Sequence, residues 1–249
     1  MNILAIDIGN TRIKWGCSQD GDWLGQGWVM TKQAGTTQAG ELAAAFAALP
    51  VLDRIVVSNV AGTAARTAVV AALAGARCAP QWIVSAAAQC GVRSSYAEHA
   101  TLGPDRWAAL IGARHLTGVA CVVVGVGTTM TVDALDGEGV FLGGCIVPGA
   151  ALMHDALARD TANLAVRKGE FRYFPDNTGD AMASGAINAL AGVVERMMRY
   201  LEQSAGVAPV VVLSGGGAAS IEKQLNAQVT VVDNLVLEGL LQIALQPGI

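Results

Sequence analysis

Asn2-Ile3-Leu4-Ala5-Ile6-Asp7-Ile8-Gly9-Asn10-Thr11-Arg12-Ile13-Lys14 opens the chain as an apolar strand, a small polar turn and the start of a second strand, and the same pattern returns later. Shifting the chain by about 118 positions lays Gly9 on Gly127, Thr11 on Thr129, Gly21 on Gly139, Trp23 on Phe141, Leu24 on Leu142 and Gly25 on Gly143. Each copy reads as strand, Gly-Thr turn, strand, Gly-containing turn and strand, which is a β-meander. The shared order of elements points to a duplicated domain. Two copies predict two similar lobes facing each other across a cleft, with a ligand between them touching both turns. The boundary is expected near residue 117, within Leu116-Thr117-Gly118, so that 1–117 and 118–249 form the two lobes.

Around this repeat, short β-branched runs alternate with Ala-rich helical stretches. Strands are predicted at 2–6, 54–58, 81–84, 119–124, 209–213 and 229–232, several of them buried on both faces. Helices are predicted at about 39–49, 64–73, 106–116 and 181–204. In the last of these, Ile187, Leu190, Val194, Met197 and Leu201 share one face. The class is α/β.

Composition narrows the partners. The chain has 249 residues, 53% hydrophobic and 14% charged, with a formal net charge of −4 and no Lys/Arg run. A nucleic-acid surface needs a basic stripe, so that partner is not expected. Cys17, Cys78, Cys90, Cys121 and Cys145 are odd in number and lack C-x-x-C spacing, which reads as reduced thiols. The three histidines share no metal-ligand spacing. No stretch approaches the roughly 20 apolar residues of a membrane span, and the N-terminus has no basic n-region. A cytoplasmic protein without membrane attachment is expected.

Four segments carry chemistry. In Asp7 to Lys14, glycine lets backbone amides approach phosphate, Asn10 and Thr11 add neutral donors, and Lys14 adds a positive charge. Asp7 cannot touch phosphate directly; it can hold Mg²⁺ through water. A hairpin turn explains the same residues almost as well, because Gly-Asn is a strong turn dipeptide. The second turn, Gly125-Val126-Gly127-Thr128-Thr129-Met130-Thr131-Val132-Asp133, offers hydroxyls to a nucleotide, and Thr is also an ordinary strand residue. Ser214-Gly215-Gly216-Gly217 reads either as a surface for adenine or ribose or as a tight strand–helix connection. In Leu102-Gly103-Pro104-Asp105-Arg106, Asp105 is a good helix-start residue and equally a base for a hydroxyl proton, with Arg106 as an anion clamp.

Asp7-Ile8-Gly9-Asn10-Thr11, Gly103-Pro104-Asp105-Arg106, Gly127-Thr128 with Thr131 and Asp133, and Gly143-Gly144-Cys145-Ile146-Val147-Pro148-Gly149 come in order and at suitable spacing. Together they resemble the type III pantothenate kinase family, also known as Bvg accessory factor-like, over nearly the whole chain. The resemblance implies a duplicated actin-like or hexokinase-like ATPase fold, that of acetate and sugar kinases. It also implies a homodimer and transfer of the ATP γ-phosphoryl group to pantothenate, the first step toward coenzyme A. On that resemblance Asp105 is the proton acceptor, and Tyr96, Gly103, Pro104, Asp105, Arg106 and Thr178 meet pantothenate, Thr178 at the dimer interface. Asp7, Ile8, Gly9, Asn10, Thr11, Arg12, Ile13, Lys14 and Thr128 meet MgATP.

Two positions depart from the family pattern: Thr129 replaces its usual Ala, adding one hydroxyl, and the family has Asp two residues before the second Gly-Thr, where it helps hold K⁺ or NH₄⁺. This chain has Gly125, which supplies no carboxylate. Backbone oxygens with Asp133, weak binding or no cation at all are the alternatives. Two other functions stay open at this stage: a kinase of another small acid or sugar, and a non-catalytic nucleotide-binding regulator.

Overall fold

The computed structural model describes residues 1–31, 37–160 and 169–246. It divides into two compact units, residues 1–116 with 235–249, and residues 117–234. The expected second lobe of 118–249 therefore loses its last stretch to the first unit.

In the first unit, β1 (Asn2–Ile8), β2 (Arg12–Gln19) and β3 (Asp22–Met30) form the antiparallel meander. β4 (Arg54–Asn59) and β5 (Pro80–Trp82) then add in parallel beside β1, giving the order β3-β2-β1-β4-β5. β5 is shorter than the predicted 81–84 and starts one residue earlier. β1 is buried on both faces. Leu4, Ile6 and Ile8 face α1 (Thr37–Ala47) and α2 (Thr63–Ala72) in a core with Leu42 and Val69. Ile3, Ala5 and Asp7 point the other way, the side on which α7 (Leu235–Leu245) packs against β1, β2 and β4.

The final helix joins this unit for visible reasons. Trp23 Nε1 donates to Glu238 Oε1 at 2.7 Å, and Arg54 Nη1 donates to the carbonyls of Ala244 and Gln246 at 2.6 and 3.2 Å. The Arg54 contacts place a cation on the helix's last carbonyls. Gly239 lies so close to α3 (Pro104–Thr117) that an added Cβ would stand 1.7 Å from the Ala108 carbonyl oxygen. Gly239→Ala is expected to destabilise the protein by about 2–3 kcal/mol or more through forced separation of the two helices, read by chemical denaturation. A loss under about 0.5 kcal/mol would show the helices can part freely.

The second unit repeats the plan. β8 (Cys121–Val126), β9 (Thr129–Leu135) and β10 (Val140–Pro148) form a meander, with β11 (Val210–Ser214) parallel to β8 and β12 (Val229–Val231) parallel to β11. The order β10-β9-β8-β11-β12 matches that of the first sheet. The match extends to a defect. β3 carries an extra residue between Trp23 and Gly25, and β10 carries one between Phe141 and Gly143. Leu24 and Leu142, one repeat apart, are thus both β-bulge residues, and both are exposed.

α4 (Ala150–Asp160) and α5 (Thr178–Ala205) complete this unit with the short α6 (Ala218–Glu222). α5 buries Leu190, Val194 and Leu201 against Val122, Val124 and Val126, with Ile187 and Met197 partly buried beside them, as its periodicity predicts. It ends where Gly206 takes a left-handed conformation, φ 71°, and returns its amide to Glu202.

Candidate active site

The first turn sits at the C-terminal end of β1. Pairing sets Asp7 between Lys14 on β2 and Ser58 on β4, so the three side chains line one row across the sheet. Asp7 Oδ1 and Ser58 Oγ are buried, and neither completes a hydrogen bond. Burial, and then the neighbouring Asp105 carboxylate, push the Asp7 acid up from 3.8 to about 7; Lys14 and the nearby Ser58 hydroxyl pull weakly the other way. Gly9 N donates to Arg12 O at 3.0 Å, closing the turn. Arg12 is exposed and stacks over Trp28, 4.4 Å from the ring centre, while Ile13 and Ile8 are buried core residues. Of the residues expected at the nucleotide, Ile8 and Ile13 thus serve the strand scaffold.

Asp105 lies in the first turn of α3, after Pro104 at its first position, where a missing N–H does no harm. Its Oδ1 accepts from the Arg106 amide at 2.8 Å. That carboxylate folds back over Gly103, whose absent Cβ would stand 2.6 Å from Oδ1. Glycine at 103 is therefore what the Asp105 conformation requires. Burial raises the Asp105 acid above its ordinary value, opposed by the Arg106 amide and guanidinium. Arg106 is itself buried. Tyr96 follows the small hairpin of β6 (Ala88–Gln89) and β7 (Val92–Ser94), whose Cys90-Gly91 turn has both φ positive. Trp107 Nε1 donates to Gln89 Oε1 at 3.0 Å, which ties that hairpin to the helix bearing Asp105. Asp7, Lys14, Asp105 and Arg106 thus form one electrostatic cluster in the first unit, with Gly103 leaving room for the Asp105 carboxylate and the Tyr96 hairpin fastened to it. Ser58 belongs to the cluster and was not anticipated.

In the second unit, Thr128 occupies the β8–β9 turn, and Gly127 N donates to Thr129 O at 3.0 Å. Gly125, the counterpart of Asp7, pairs with Thr131 on one side and Ser214 on the other. A Cβ at 125 would lie 3.0 Å from Thr131 Oγ1, so a hydroxyl stands where a carboxylate stem would begin. Asp133, buried two residues along β9, is itself partnered. Gly215, φ 102°, presses on Val126, where an added Cβ would be 2.3 Å from its carbonyl oxygen, so tight packing accounts for that glycine without an adenine. Thr178 is exposed at the start of α5, whose cap is Asn177, accepting from Asp180 N at 3.0 Å.

Among the described residues, no cluster of three His, Cys, Asp or Glu could hold a metal ion. The first unit nonetheless fits a divalent ion: a buried carboxylate oxygen lacks a partner beside an amide turn, and such an ion keeps most of its ligands as water and phosphate oxygens. The second turn does not fit a monovalent cation held by a carboxylate at 125. No described helix is long and apolar enough to cross a membrane.

The sequence pattern described as type III pantothenate kinase matches residues 3–200. A type III pantothenate kinase of Nitrosospira multiformis is 46% identical over 97% of this chain and 90% of its own length. One from Aromatoleum aromaticum is 47% identical over 97% of each. Among solved structures, the Acidaminococcus fermentans (R)-2-hydroxyglutaryl-CoA dehydratase component A superposes with a TM-score of 0.57 at 15% identity, covering 98% of this chain and 96% of that one. MreB 5 of Spiroplasma citri, bound to AMPPNP, gives 0.53 at 10% identity, over 96% and 94%. These two likenesses speak for the fold alone, that of the actin-like ATPases. Residues 3–200 and the near-full-length relatives leave one assignment: the chain belongs to the type III pantothenate kinase family.

Proposed function

We propose that this chain transfers the γ-phosphoryl group of ATP to the hydroxyl of pantothenate, giving 4′-phosphopantothenate and ADP, the first step toward coenzyme A. The carrying observation is the pair of carboxylates in the first unit, Asp7 at a strand end with a bare oxygen and Asp105 at a helix start held by the Arg106 amide. Asp105 accepts the hydroxyl proton as the new O–P bond forms and the bond to ADP breaks. Burial raises its pKa, which makes its carboxylate a better proton acceptor than an exposed one. Arg106 and Tyr96 orient the acceptor, Asn10 and Thr11 hold phosphate oxygens, and Thr128 offers the nucleotide a neutral donor. Asp7 would hold Mg²⁺ through water, and the ion would neutralise phosphate charge. The rest is positioning.

Thr178 completes the pantothenate site of a second copy in a homodimer. The support is an aromatic pair beside its helix: Tyr173 and Phe174 are 81% and 94% exposed, an apolar surface suited to self-association. Light scattering of the purified protein tests the dimer.

Purified protein with MgATP and pantothenate, assayed for phosphopantothenate by mass, tests the activity. No product with K⁺ or NH₄⁺ present sinks it. Because Gly125 and Thr131 leave no carboxylate seat, turnover is expected to change less than about twofold when K⁺ is replaced by tetramethylammonium at equal ionic strength. Stimulation of about tenfold or more by K⁺ would show that other oxygens form the seat.

A further inference from the structure

A turn that receives phosphate has to present amides and turn its carbonyls away, because a carbonyl dipole aimed at an anion repels it. In the first turn the carbonyls are taken up in series. Ile8 O accepts from Val60 N at 3.0 Å, Gly9 O from Thr31 Oγ1 at 2.6 Å, Thr11 O from Thr31 N at 2.9 Å and Arg12 O from Gly9 N at 3.0 Å. Thr31, the residue after β3, supplies two of these donors.

The second turn is held alike. Val126 O accepts from Gly217 N at 3.1 Å and Thr128 O from Gly149 N at 2.9 Å. Gly149 follows β10 as Thr31 follows β3, one repeat later. The two differ in the side chain. At Gly149 a Cβ would stand 2.2 Å from Gly127 O, so that carbonyl lies against a bare α-carbon, whereas Gly9 O lies on the Thr31 hydroxyl.

We propose that Thr31 is the positioning residue of the first phosphate turn, a lock that Gly149 cannot supply in the second. Thr31 does not touch the nucleotide. The peptide unit is planar and trans, so the Gly9 carbonyl and the Asn10 N–H point in opposite directions from one plane. Holding Gly9 O inward therefore aims the Asn10 amide outward. Gly9 has no side chain to resist rotation of that peptide, and the Thr31 hydroxyl supplies the lock. The inference rests on the reading of the first turn as a phosphate site.

The test uses the full chain with Thr31→Val, which keeps shape and amide but removes the hydroxyl, and Thr31→Ser, which restores it. Thr31→Val is expected to raise the KM for ATP, and the dissociation constant for MgATP by calorimetry, about tenfold, with the KM for pantothenate within about twofold. Thr31→Ser is expected to return both ATP constants to within about twofold of wild type. An ATP KM unchanged in Thr31→Val, equal losses for both substrates, or a Ser variant as impaired as the Val variant would overturn the proposal. If the wild type binds MgATP but does not phosphorylate pantothenate, the activity falls and the clamp is still judged, on the calorimetric constant alone.

Discussion

Asp105→Asn is expected to lower kcat for pantothenate phosphorylation about 10²–10⁴-fold, the range a positioned base contributes. The variant keeps the amide oxygen that accepts from Arg106 N at 2.8 Å, so the helix start and the fold over Gly103 persist. MgATP affinity should therefore stay within about twofold, which separates lost proton acceptance from lost binding. In the wild type, burial sets the acidic limb of kcat/KM above the ordinary carboxylate range. Activity rises with pH through that limb as Asp105 ionises. In the variant the contribution of Asp105 to that limb disappears, while that of Asp7 remains. Full turnover in Asp105→Asn would remove the residue from this role.

Asp7→Asn is expected to move activity and stability in opposite directions. Asp7 holds its proton up to about pH 7 in the folded chain, against 3.8 ordinarily. Between those values the folded state binds more protons than the unfolded one, so stability falls as pH rises from about 4 to 7 and then levels off. Relieving a buried carboxylate whose Oδ1 has no hydrogen-bond partner should stabilise the metal-free protein at pH 8 by on the order of 1–2 kcal/mol. That is a few degrees in Tm for a chain of this size. Turnover, deprived of the carboxylate beside the phosphates, should fall at least about 10²-fold. Thermal melts in EDTA at pH 5 and pH 8 check the first effect. A variant less stable than wild type at pH 8 would mean that Asp7 has a partner in solution.

The meander was legible because its turns need small residues: Gly9 and Gly127, Gly21 and Gly139 mark the same bends in both units. Even the bulges at Leu24 and Leu142 were present as matched letters, although a sequence shows a match and not an extra residue in a ladder. α7 was not legible. Leu235-Val236-Leu237-Glu238-Gly239-Leu240-Leu241 is apolar nearly all round, and only contact with β1 and β4 decides where it goes. α4 (Ala150–Asp160) is a further helix the sequence did not announce, and it lays only Ala150 and Met153, partly buried, against the second core.

At the site, Asp7 and Asp105 could be singled out as carboxylates beside glycine turns, but their mutual influence depends on helix–sheet packing. Ser58 and Thr31 carry no motif. Ser58 matters through its register with Asp7, and Thr31 through two hydrogen bonds 20 residues or more away in sequence. The repeat offers the one clue to the latter, since it maps Thr31 onto Gly149 at the end of a conspicuous glycine-rich segment.

The return of α7 to the first unit also sets an order of synthesis. A ribosome delivers residues 117–234 as one unbroken stretch, and that unit can close as soon as it has emerged. The unit made first must wait. One face of β1, with Ile3 and Ala5, stays uncovered until residues 235–246 leave the exit tunnel. The half made first is therefore the last to be completed, and until then the exposed strand is what a nascent-chain chaperone would find.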